Sequence, residues 1–85
     1  MTNTKQVLTD KRIVVLTYGW VMIGEYSRNG DTVTLNDASV IRRWGTDKGL
    51  GQLALTGPTD NTVLDPCGIA EVPLSSVVAT IRCIK

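Results

Sequence analysis

Histidine is missing from all 85 residues, and with it the side chain most used as a general base near neutral pH and as a metal ligand. Cysteine is scarce. Cys67 and Cys83 are too few for a disulfide scaffold, and neither has a second cysteine or a histidine at metal-binding spacing, so both read as reduced thiols acting as small apolar groups. Apolar runs stop at four residues, far short of the roughly 20 that a membrane helix needs. Charge of one sign is also lacking: nine Lys/Arg against eight Asp/Glu leave a net charge of +1, which excludes a strongly basic nucleic-acid binder but not a local basic cluster. No charged-then-apolar leader opens the sequence, so a cytoplasmic location is expected.

A chain of this length is one domain, 1–85, and hides only about 60% of its unfolded surface, so its core is thin. Residues 1–10 are polar and Thr-rich and read as a flexible arm that docks through Val7 and Leu8. "RIVVLTYG" (12–19) and "WVMIGEYS" (20–27) are β-branched and aromatic and read as strands. The Asn29-Gly30 dipeptide after them predicts a two-residue hairpin loop with positive φ at both positions.

The third strand, 32–44, buries Val33 and Leu35 on one parity and Val40 on the other, with the slip at Asn36-Asp37. A bulge or sharp bend near Asp37 reconciles the two sets, and Gly24, without a Cβ, lets the neighbouring strand bend at the same height. Matching bends curl a short sheet into a small barrel. Residues 45–68 read as an insertion with a short helix through Leu50, Leu53 and Ala54, capped by Thr46 or Asp47 and stopped at Gly57-Pro58. Val63-Leu64 forms a brief strand or packed loop. A short strand over 69–72, a corner at 73–76 and a last strand complete the chain, with Val77, Ala79, Ile81 and Cys83 on one apolar face.

The two terminal strands of such a sheet present unpaired backbone and aliphatic rather than lysine-guarded edges. Pairing of Ile69, Ala70, Glu71 and Val72 of one copy with Val77, Val78, Thr80 and Ile81 of the next is heterologous, and closes a ring or opens a filament.

Chemistry is hard to find. "GLGQLA" (49–54) lacks the βαβ unit of a dinucleotide loop. Ser75-Ser76 has no histidine to activate it, and Asp60, Asp65 and Glu71 sit among turn residues. No enzyme activity, cofactor or metal is expected. "RRW" (42–44) offers two guanidiniums for phosphate beside an indole for base stacking; alternatively Arg42 and Arg43 solvate a strand end while Trp44 covers the helix. Trp20 and Tyr26 share a parity and form either an outer stacking strip or an apolar patch under the insertion or a neighbouring subunit. Lys11-Arg12 reads as phosphate contacts or as solvated charge at a strand entry.

"IVVLTYGWVMIGEYS" followed by "TLNDA" resembles the first motif of the Sm family, with Gly19, Gly24, Leu35, Asp37 and Ala38 at its characteristic places. "VPLSSVVATIRC" is similar to the corner and last strand of the bacterial Sm-like RNA chaperones. "VIRRWGTDKGLGQLALTGP" further resembles small phage proteins, whose setting is the cytoplasm of an infected host cell. The resemblance implies an all-β, strongly bent five-stranded antiparallel sheet of Sm-like or SH3-like open-barrel type. It also implies a homo-oligomeric ring of about five to seven subunits closed by strands four and five, with single-stranded RNA or a protein as partner. The loop that reads RNA in the family is shortened here to "SRNGD", where only Arg28 and Asn29 substitute, and the Lys-His pair of the bacterial chaperones is replaced by Glu71 and Val72. Two other roles remain open: a ring that binds only protein, and a monomeric SH3-like module that takes an extended peptide.

Overall fold

Two β-branched runs joined by a Tyr-Gly corner, then a Gly-centred hairpin, fix the order of the first three strands. The computed structural model describes residues 10–84, so the arm expected over 1–10 lies outside the described residues except for Asp10. The strands are β1 (Lys11–Leu16), β2 (Val21–Asn29), β3 (Thr32–Arg43), β4 (Val63–Pro73) and β5 (Val77–Arg82). One helix, α1 (Gly49–Thr56), lies between β3 and β4, and short 3-10 turns occupy Thr17–Gly19 and Leu74–Ser76. All pairings are antiparallel in the order β4-β3-β2-β1-β5, and the sheet is not closed, as in a small open barrel. The expected all-β class with one short helix is what the chain adopts.

The bend expected near Asp37 is a bulge. Ile23 pairs with Ser39 but Glu25 pairs with Asn36, so β3 carries one extra residue there, and Asp37 takes a φ of 51°. The extra residue puts Leu35, Ala38 and Val40 into one cluster with Val14, Leu16 and Met22, despite their opposite parities. Ile41 points the other way, into a second cluster with Ile13, Ile23, Leu53, Ala54 and Cys83. The sheet therefore has two cores, one inside the curl and one under α1. Leu53, fully buried, contributes roughly 2 kcal/mol to the second.

Several local expectations are corrected. The hairpin loop is Gly30-Asp31, one residue later than expected, because Asn29 still pairs with Thr32. Only Gly30 has positive φ, at 61°, which matches a type II′ turn rather than I′. β4 runs unbroken from Val63 to Pro73, so the insertion ends at residue 62, not 68. Pro66 and Gly68 read as turn residues, but β4 is an edge strand that tolerates proline, and Gly68, φ 81°, sits where the β3–β4 register shifts. β5 also bulges: Val15 pairs with Ala79 and Leu16 with Val77. Val77 thereby turns into the inner cluster while Ile81 and Cys83 face α1, so the single apolar face expected for β5 is divided.

Lys48 is the N-cap residue of α1, and no side chain caps it there. Neither Thr46 nor Asp47 caps it; the Thr46 hydroxyl donates to the Gly49 carbonyl, and Gln52 Oε1 reaches back to accept the Lys48 N–H at 2.9 Å. The Gly57 stop is as expected, with its N–H on the Leu53 carbonyl. Two threonines close the neck of the insertion: Thr62 Oγ1 donates to the Trp44 carbonyl at 2.7 Å and Thr59 Oγ1 to that of Gly45.

Candidate interaction surfaces

The residues singled out as nucleic-acid contacts lie at opposite ends of β3. Arg28 pairs in register with Val33 at its start, and Arg43 with Val63 at its end. At the first end Arg28 Nε donates to the Gly30 carbonyl at 2.9 Å, bracing the turn, and Asn29 is exposed beside it. At the other end Arg42 is engaged: its Nε and Nη2 donate to the two carboxylate oxygens of Asp65 at 2.9 and 3.3 Å. This fork neutralises the guanidinium expected to grip phosphate. Arg43 is exposed, and Trp44 leans toward the first turn of α1, with its ring about a van der Waals contact from where a side chain on Gly49 would begin. Trp44 thus follows the structural alternative, partly covering the helix.

Trp20 and Tyr26 form no common strip. Tyr26 is half-buried against the inner cluster, and the Arg12 guanidinium stacks on its ring, 4.0 Å from the centroid. Trp20 stands just before β2 and is 55% exposed, next to Tyr18, which is 99% exposed. The insertion covers neither. Tyr18 holds a φ of 63°, a costly conformation for an aromatic residue, and Gly19 follows at 82°. With Leu16, Met22, Val72 and Pro73 these two aromatics line an open cavity of about 360 Å³ at the corner where β4 passes into β5. The sequence set Trp20 in a strip or patch with Tyr26 and gave no signal for Tyr18, whose exposure depends on the 3-10 turn.

Among the described residues, no strand pairs with the outer side of β4 or of β5. On β4, Ile69 is 69% exposed and Glu71 exposed, while Ala70 and Val72 are half-buried against β3. On β5, Val78 is 65% exposed, and Val77, Thr80 and Ile81 are half-buried. Aliphatic side chains therefore stand exposed on both edge strands.

Among the described residues no group of three His, Cys, Asp or Glu side chains is placed to hold a metal ion, and no helix is long and apolar enough to cross a membrane. Cys67 is exposed and Cys83 buried. Burial pushes the Cys83 thiol above its ordinary value of 9.0, against the opposing pull of Lys11 and of a backbone hydrogen bond at Ile13. No family model, curated protein or solved structure significantly matches this chain.

Proposed function

We propose that this protein is a non-enzymatic, Sm-like subunit that closes into a ring of about five to seven copies and presents that ring to single-stranded nucleic acid. The observation that carries the reading is the pair of free edges, β4 and β5, at the two ends of one open sheet, with Ile69 and Val78 exposed on them. A small domain with a thin core gains from covering such edges with copies of itself. The non-enzymatic part of the reading draws on the carboxylates: Asp65 is paired with Arg42, and Glu71 lies opposite Thr34 in the ladder.

Fluorescence anisotropy with oligo-uridine and oligo-adenine tests the ligand class. Binding that weakens with salt supports nucleic acid. No binding at low salt by an assembled ring favours a protein-only ring, a reading to which the Arg42–Asp65 fork lends weight because it pairs one of the surface cations with an acid. The groove beside Tyr18 and Trp20 favours instead a peptide-binding monomer, whose mass in solution would be 9.2 kDa.

A further inference from the structure

The expected phosphate contact, Arg42, has its own carboxylate, yet another pair of arginines has none. Arg12 on β1 and Arg82 on β5 are direct partners in the antiparallel ladder. Directly opposed residues share a face of the sheet with Cβ atoms about 5 Å apart, and like charges so placed repel. No ion pair or hydrogen bond among the described residues relieves either side chain. The nearest acid along β1, Asp10, gives its carbonyl to the Tyr26 N–H, and its carboxylate makes no ion pair with Arg12.

Arg12 is also held in place. Its guanidinium lies on Tyr26, and its Nε is buried without an acceptor, whereas its terminal nitrogens, also without acceptors, are not buried. A guanidinium held on a ring with donors that are not buried, one ladder pair from a second, exposed arginine on the same face, is suited to binding an oxyanion. Tyr26 itself is half-buried against the inner core.

We infer that Arg12 and Arg82 form a phosphate-binding site, and that this pair, rather than Arg42, grips the phosphodiester backbone of a single-stranded nucleic acid. This deepens the nucleic-acid reading above and rests on it for the ligand. Because Arg82 lies on the β5 edge, edge-to-edge assembly repeats the site once per subunit.

The test is salt-dependent anisotropy with a fluorescent oligo-uridine. Arg82→Gln, at an exposed position, should weaken binding about tenfold and lower the slope of log affinity against log salt by about 0.7, the value of one lost phosphate contact on a single strand. Arg82→Lys should recover part of the affinity, and Arg42→Ala should stay within about twofold of wild type. In a second arm, inorganic phosphate should shift the Arg12 and Arg82 side-chain NMR signals and leave those of Arg42 in place. Wild-type affinity in Arg82→Gln, an equal loss in Arg42→Ala, or equal displacement by poly-glutamate overturns the inference. A ring-sized species that ignores the oligonucleotide also overturns it while leaving assembly intact, and a 9.2 kDa monomer that binds through Arg82 does the reverse.

Discussion

Gly24 lies directly beneath Ala38: a Cβ placed on Gly24 would come within 3.1 Å of the Ala38 Cα and 3.0 Å of the Asn36 carbonyl oxygen. Both are backbone atoms of the β3 bulge, so they cannot swing aside as a side chain would. The glycine and the bulge are one device, which brings β3 over β2 and closes the inner core. Gly24→Ala should cost about 1–3 kcal/mol by overpacking, and Gly24→Val more, read from urea midpoints. Wild-type stability in Gly24→Val would mean that β3 does not fold over β2 at this point.

Gly45 makes a sharper case at the neck of the insertion. Its φ is +67°, and an added Cβ overlaps the backbone of Asn61 and Thr62. Gly45→Ala should therefore cost at least about 2 kcal/mol, whereas Gly30→Ala, also at positive φ but with open space around it, should cost about 1 kcal/mol. Thermal melts of the two variants side by side check the ordering.

The two thiols should separate cleanly in reactivity. Cys67 should react with a thiol reagent at once in the native protein, and Cys83 only on unfolding. Burial raises the folded-state value of Cys83, so the folded form holds this proton more tightly than the unfolded one. Its contribution to stability is complete below pH 9.0 and is lost as pH rises through the raised value. A denaturation series through the alkaline range should show that decline, and Cys83→Ala should flatten it.

Edge pairing predicts what charge on the edges will do. Ile69 and Val78 are mostly exposed in the single subunit, so Ile69→Lys with Val78→Lys should leave its circular dichroism unchanged while reducing the assembly to monomers. Persistence of the assembled species in the double variant would place the contact elsewhere.

Much of the curl was legible because its causes are local. The parity slip between Leu35 and Val40 records the bulge in the sequence itself, and Gly24 marks where the neighbour must yield. What escaped depends on pairing across distance. Pro66 and Gly68 announce a turn unless it is known that β4 lies on an edge. Arg42 looks like a free cation until the β3–β4 register sets Asp65, 23 residues away, beside it. Arg12 and Arg82 stand at opposite ends of the chain, and only the β1–β5 ladder makes them neighbours. Tyr18 resembled an ordinary strand aromatic until the 3-10 turn set it outside the sheet.

Native mass spectrometry of the wild-type protein at micromolar concentration bears most directly on edge-to-edge assembly. The predicted result is one dominant species at a whole-number multiple of 9.2 kDa, about five to seven copies. A single species at 9.2 kDa, unchanged on raising the concentration, would contradict it.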